Sequence, residues 1–322
     1  MRRPLVLVLA LALAALAAGA ALAGCRGEER QPGAQASISS DALRGKKFTV
    51  GSKEFTEQLV LGQIAIAALE AAGAEVEDET GLAGSVTARR ALTSGEIDIY
   101  WEYTGTAWIV YFDETEPLRS SRAQYQAVAA RDRERNRVAW LPYAPFNNTY
   151  AIAARAADAP RLGVRTVSDL ARLARERPQE ATVCVGEEFR SRDDGLPGLE
   201  RTYGFDLPDG QIFKLDEGLV YQQVADGERC NFGSVFSTDA RIDRLKLAVL
   251  RDDRSFFPRY NPAVNVRAEV VRANPSLRSL FAAIAARLDD ATMRRLNGQV
   301  DVDGETPDRV AERWLLDEGL IR

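Results

Sequence analysis

The run Asp98-Ile99-Tyr100-Trp101-Glu102-Tyr103-Thr104-Gly105-Thr106 places aromatic rings at what reads as a strand end, with a Thr-Gly-Thr turn after them. Similar groupings recur at Phe146-Asn147-Asn148-Thr149-Tyr150, Phe236-Ser237-Thr238-Asp239 and Phe256-Phe257-Pro258-Arg259-Tyr260. Rings gathered at strand ends can form an aromatic box. Such a box suits a quaternary ammonium ion, which has no N–H to donate and is held through the faces of π-systems. Each ring contact contributes about 0.5–2 kcal/mol, so four rings supply several kcal/mol, enough with modest further contacts for roughly micromolar binding. Core packing is the competing role for any single ring. Four rings that all fall beside strand ends or crossings favour a shared site.

Other chemistry is thinly represented. The chain contains no histidine, which removes Ser-His and Cys-His nucleophile pairs, the commonest general base and most zinc sites. Neither Cys184 nor Cys230 sits at a metal-ligand spacing, and no cofactor motif is present, so no catalytic residue, metal or cofactor is expected. Asp193-Asp194 and Asp252-Asp253 are adjacent pairs, which rarely converge on one substrate and read as turn or helix-cap residues. Gly81-Leu82-Ala83-Gly84-Ser85 lacks the lysine and spacing of a phosphate loop and reads as the turn before a capped helix. A formal charge of −5 with mixed signs along the chain gives no electrostatic footprint for nucleic acid.

The first residues set the compartment. Arg2 and Arg3 precede an apolar Leu- and Ala-rich run, Leu5 to Leu22, that ends in Leu22-Ala23-Gly24-Cys25. A small-residue site closing such a run marks a secretory signal rather than a retained span. The ending resembles a bacterial lipobox, which implies residues 1–24 as signal peptide and Cys25 as the lipidated first residue. Residues 25–46 are polar and read as a flexible tether. In an oxidising exterior Cys184 and Cys230 either pair or serve as two small buried hydrophobes, and the sequence leaves both open.

From Lys47 on, the length suggests two lobes. A strand at Phe48–Val50, a helix from Glu57 to about Ala72 capped by Thr56, a strand near Glu75–Glu79, a helix carrying Val86–Leu92 and a strand at Ile97–Tyr103 form the pattern of a parallel sheet with crossover helices. Ligands in such sheets bind at the carboxyl ends of strands. Ser120 to Arg137 reads as a helix, and Asn147 to Ala153 as an extended crossing. A second unit then brings a helix near Val167–Arg177 and strands at Ala181–Val185, Ile212–Leu215, Phe232–Phe236 and Leu247–Leu250. A strand at Val264–Val271 leads back towards helices between Asn274 and Arg322. Trp108 and Trp140 read as core anchors.

Several motifs in order carry a family resemblance. They are Gly51-Ser52-Lys53-Glu54-Phe55-Thr56-Glu57-Gln58, Gly95 through Thr106, Phe146 through Tyr150, Glu188-Phe189-Arg190-Ser191-Arg192 with Asp194-Gly195, Phe236 through Asp239, and Asp252 through Tyr260. Together they resemble the substrate-binding lipoproteins of ABC importers for glycine betaine, choline and related osmoprotectants. The resemblance implies an α/β, two-lobed periplasmic-binding-protein fold (type II), each lobe a mostly parallel sheet flanked by helices. Residues 47–150 and 259–322 would form lobe 1, and 151–258 lobe 2. It implies a cage of Tyr103, Tyr150, Phe236 and Tyr260, with Phe236 a departure from the usual tyrosine. It further implies that Lys53, Thr106 and Arg192 grip a ligand carboxylate, Arg192 as a two-pronged clamp. Glu188 would hold Arg192 or face a cation, and Gln58 would form a polar wall. Two cations near the site argue for a zwitterion over choline. The implied protein is an extracytoplasmic, lipid-anchored monomer that delivers a quaternary ammonium compound to an ABC permease driven by a cytoplasmic ATPase.

Overall fold

The computed structural model describes residue 38 and residues 41–114, 116, 118 and 120–322. The signal segment, Cys25 and most of the tether lie outside the described residues. The tether's expected end at residue 46 is too late. Leu43 is 2% exposed, its N–H donates to the Ala72 carbonyl, and the Ile38 N–H donates to that of Leu320. One apolar side chain in a polar stretch is enough to fix it to the body.

Among the described residues, ten strands build two sheets. They are β1 (Lys47–Lys53), β2 (Glu75–Leu82), β3 (Ile99–Tyr103), β4 (Val138–Tyr143), β5 (Tyr150–Arg155), β6 (Val183–Val185), β7 (Ile212–Lys214), β8 (Phe232–Phe236), β9 (Leu247–Val249) and β10 (Pro262–Arg267). The first sheet has the order β2-β1-β3-β10-β4 and the second β7-β6-β8-β5-β9. In each sheet four strands run one way, and the exception, β10 or β5, pairs antiparallel with both its neighbours. The exception is in both cases the first strand reached after the chain crosses between lobes. It enters at the edge where its neighbours end.

Helix α1 (Thr56–Ala71) is apolar around most of its circumference, and Val60, Leu61, Ile64, Ala65, Ala68 and Leu69 are fully buried. One side covers β1 and β2, and the other packs against helices Asp290–Asp301 and Pro307–Asp317, which returns the C-terminal helices to the first lobe. Thr56 does not cap α1: Phe55 occupies that position without a side-chain cap, and the Thr56 hydroxyl donates to Asp301 instead. Helix α2 (Gly84–Ser94) follows β2, and Ala83, not a polar residue, precedes it. In the second lobe, helix Val167–Glu176 starts at a complete Thr166/Asp169 capping box, which fixes its first turn.

The end of one expected strand moves, and further elements appear. The strand expected over Val264–Val271 ends at Arg267, and Ala268–Ala273 is helical, in line with the helix-favouring Ala, Glu and Arg of that segment. Strand β4 was not expected, because a short apolar run after a charged helix carries no period of its own. Helices Leu196–Tyr203 and Glu217–Asp226 were also missed. Trp108 and Trp140 are buried, and their indole N–H groups donate to the Glu116 carbonyl and to Asp132.

Cys184 on β6 and Cys230 ahead of β8 are disulfide-bonded, with Cα atoms 5.6 Å apart and a sequence separation of 46. Closing a loop of that length restricts the unfolded chain, worth roughly 4 kcal/mol. The double variant Cys184→Ser/Cys230→Ser is therefore expected to melt several degrees lower in thermal unfolding. An unchanged Tm would show that the bond adds no stability.

Candidate functional site

Strand register assembles the site. Tyr150, which opens β5, is the direct cross-strand partner of Phe236, which closes β8. Their rings stack with centroids 5.2 Å apart. Tyr103 closes β3, and Pro262 at the start of β10 pairs with it, which brings Tyr260 to the same edge. Tyr260 meets Tyr150 edge-on at 5.9 Å. Gly105 of the Thr-Gly-Thr turn makes this approach possible, because a Cβ there would lie 2.5 Å from the Tyr260 ring.

These four rings line one hollow together with Lys53, Thr106, Glu188 and Arg192. Eight of the nine side chains expected at the site thus converge. Gln58 does not. It is fully buried in α1, its Oε1 accepts the Lys53 backbone N–H at 3.3 Å, and it lies behind the site rather than in its wall. Phe55 was missed and belongs to the box: it stacks on Phe236 at 5.1 Å and on Tyr103 at 6.3 Å, linking rings of the two lobes. In the sequence it stands outside the four aromatic groupings, between a strand and a helix.

The hollow has a volume of about 30 Å3, room for about two waters. A trimethylammonium group sits within about 6 Å of each ring centroid it engages, so Phe55 of the first lobe and Phe236 of the second, stacked at 5.1 Å, must part to admit it between them. Among the described residues, the chain passes from one sheet to the other at residues 144–149 and 250–261, which leaves a hinge motion available.

Both cations are engaged by the protein. Lys53 donates to Glu102 at 2.7 Å and to Ser85 at 3.1 Å, and its ammonium lies 5.0 Å from the Tyr103 ring centroid. Arg192 gives Nε and Nη2 to Asp194 at 2.8 and 2.5 Å, and Nη1 to Glu188 at 2.8 Å. The two-pronged edge of Arg192 therefore serves Asp194, not a ligand. Of the donors in the two side chains, one N–H of Lys53 and two of Arg192 remain, with the Thr106 hydroxyl beside them. A ligand carboxylate would be met by single convergent bonds. The argument that choline would leave two cations poorly paired is also overturned, since each already has a carboxylate partner.

Asp194, read from sequence as a turn acid, is 2% exposed and also accepts the Tyr260 hydroxyl. Glu188 reaches across to the first lobe, where the Ser85 backbone N–H donates to it at 2.6 Å. Burial pushes the Glu188 carboxyl up, but Arg192, Lys53 and the Ser85 donors outweigh it and hold the carboxyl below its usual range. Arg192→Ala would leave Asp194 buried and unpaired, at a cost of about 3–5 kcal/mol. Both affinities are expected to fall in that variant, that for betaine further than that for choline, because betaine also loses single bonds to the two remaining Arg192 N–H groups. Equal losses in calorimetry would instead show that Arg192 acts only by holding Asp194.

Glu57 is the second residue that sequence reasoning passed over. Its Oε1 accepts the Tyr103 hydroxyl at 2.8 Å and Asn148 Nδ2 at 2.7 Å. Oε2 accepts the Thr238 hydroxyl at 2.6 Å and Asn297 Nδ2 at 3.0 Å. One carboxylate thus ties a cage ring of the first lobe to the second lobe and to a crossing segment. Burial raises its pKa against those four donors.

Residues 46–317 match the family described as the substrate binding domain of ABC-type glycine betaine transport systems. The chain is 42% identical over 293 residues to a glycine-betaine-binding protein of Pseudomonas aeruginosa, covering 88% of this chain and 93% of that one. It is 32% identical over 292 residues to the glycine betaine-binding protein YehZ of Escherichia coli, covering 89% and 95%. A crystal structure of a glycine betaine/carnitine/choline ABC transporter superposes with a TM-score of 0.68 at 25% identity, covering 85% of this chain and 99% of that one. With both lobes and the convergent site in place, the chain belongs to the substrate-binding domains of ABC-type glycine betaine transport systems, a family of receptors and not of enzymes.

Proposed function

We propose that this chain captures glycine betaine or a related quaternary ammonium compound (choline, carnitine or proline betaine) outside the cytoplasm and delivers it to an ABC permease. One observation carries the reading: rings from both lobes, Tyr103, Tyr150, Phe236 and Tyr260, surround one hollow that Lys53, Thr106 and Arg192 also line. The cationic nitrogen rests against ring faces, and a ligand carboxylate meets the remaining N–H groups of Lys53 and Arg192. Ligand bridges the lobes and favours their closed arrangement, so capture and closure are one equilibrium. The closed form docks on the permease, and a cytoplasmic ATPase drives release. Cys25 carries the lipid that tethers the receptor, as a monomer, to the outer face of the membrane.

Calorimetry with glycine betaine, choline, carnitine and arginine side by side tests the ligand class. Heat is expected with at least one quaternary amine and none with arginine. Arginine binding without any quaternary response would show a receptor for a different solute.

A further inference from the structure

Beside the aromatic hollow lies a larger one of about 350 Å3, and Lys53, Phe55, Asn148, Tyr150, Glu188 and Phe236 form walls of both. Apart from one N–H of Lys53, the cationic groups and threonine hydroxyls that could donate from its walls are already engaged. Arg241 faces Asp239 at 2.5 Å and Asp301 at 3.5 Å. Thr56 gives its hydroxyl to Asp301 and Thr238 gives its own to Glu57. Acceptors are left over. Asn148 and Asn297 line this hollow and are 5% and 3% exposed. Both amide nitrogens go to Glu57, and neither amide oxygen has a partner among the described residues. Glu217 lines it too, and its Oε1 is likewise without a partner among the described residues. Its carboxylate lies over Gly186, where a Cβ would come within 1.5 Å of Oε2, so the backbone leaves that space to the carboxylate.

An acceptor taken from water without a donor costs about 1–3 kcal/mol. Three such side chains around one hollow that adjoins the aromatic box mark a place for a group that brings donors. We propose that this hollow is a second compartment of the ligand site, where Asn148, Asn297 and Glu217 receive a protonated, N–H-bearing group carried on the same molecule as the quaternary nitrogen. The preferred cargo is then a quaternary ammonium compound with a second, donor-rich cationic nitrogen. The inference rests on the box reading above and extends it.

The charge state of Glu217 supplies an independent readout. Burial and then Glu188 raise its pKa to about 8, Arg241 opposes them, and Asp239 and Glu54 add to the rise. Near neutral pH the carboxyl therefore holds its proton most of the time. An incoming ammonium favours the ionised form, and the proton passes to the buffer as the ion pair forms.

The test is calorimetry on the purified full-length chain near neutral pH with four probes: glycine betaine, choline, butyl-trimethylammonium and aminobutyl-trimethylammonium. The last two differ only in the terminal ammonium. The amino compound is expected to bind about tenfold tighter or more than its butyl partner, the size of one charge-assisted hydrogen bond. Titration in two buffers of different ionisation heat should show proton release with the amino compound and none with the butyl one. In Glu217→Gln the two should come within about threefold and the release should vanish. Equal binding of the two butyl compounds by the wild-type chain overturns the second compartment and leaves the box intact. So does a preference that persists unchanged in Glu217→Gln. If none of the four probes binds, the box reading itself fails and this inference with it.

Discussion

Tyr150→Ala is expected to lower affinity for quaternary ammonium ligands by about 100-fold, measured by calorimetry. The ring stacks on Phe236, meets Tyr260 and Phe189 edge-on at 5.9 and 5.1 Å, and carries the Arg192 guanidinium 5.7 Å above its centroid. Its removal deletes one desolvated cation–π contact of about 2 kcal/mol and frees the neighbouring rings, and about 2.8 kcal/mol corresponds to 100-fold. Tyr150→Phe should stay within about threefold, because the π-face is what binds. Tyr103 and Tyr260 differ, since their hydroxyls donate to Glu57 and Asp194. Wild-type affinity in Tyr150→Ala would remove the ring from the box.

Glu57→Ala should produce the largest loss of stability. Four side-chain donors now share its carboxylate, and the variant strands them in the interior at about 1–3 kcal/mol each before relaxation. Even half of that total lowers Tm by roughly 10 °C in a chain of this size. Binding should weaken as well, because the Tyr103 ring loses the bond that fixes its angle. Glu57→Gln separates charge from shape. The carboxyl's folded pKa is raised, so the folded chain holds this proton to a higher pH than the unfolded chain does. The contribution of Glu57 to stability is therefore largest below about pH 4, its unfolded range, and declines as pH rises through the folded value. The non-titrating Gln variant should gain on wild type in thermal melts as pH increases. A constant difference across pH would mean that Glu57 does not change protonation between the two states.

Glu57 also shows where sequence reading stops. Its partners lie 46, 91, 181 and 240 residues away, and in the sequence it is one more acid in the first turn of a helix. Asp194 looked like half of a turn pair for the same reason. Arg192 turns back on it from two residues away, and its role is completed only when Tyr260, 66 residues away, closes on it. Phe55 required the two lobes to meet before its ring could lie between Tyr103 and Phe236. Gln58 shows the opposite error: it belongs to a motif that carries the resemblance, yet the turn of α1 faces it away from the hollow.

The alternation of strands and helices, the two lobes and the rings at strand ends are legible in the order of the residues. These follow from local periodicity and from the residues that may stand where a strand gives way to a turn. The absence of histidine chemistry is legible as well, being a matter of composition. Tertiary structure alone decided which charges are spent on one another, because pairing depends on distances across the fold. Arg192 turns its fork to Asp194, Lys53 turns to Glu102, and Glu217 with two asparagines keeps acceptors unmatched. The energy of each group depends on what stands within a few ångströms of it, and only the folded chain sets that.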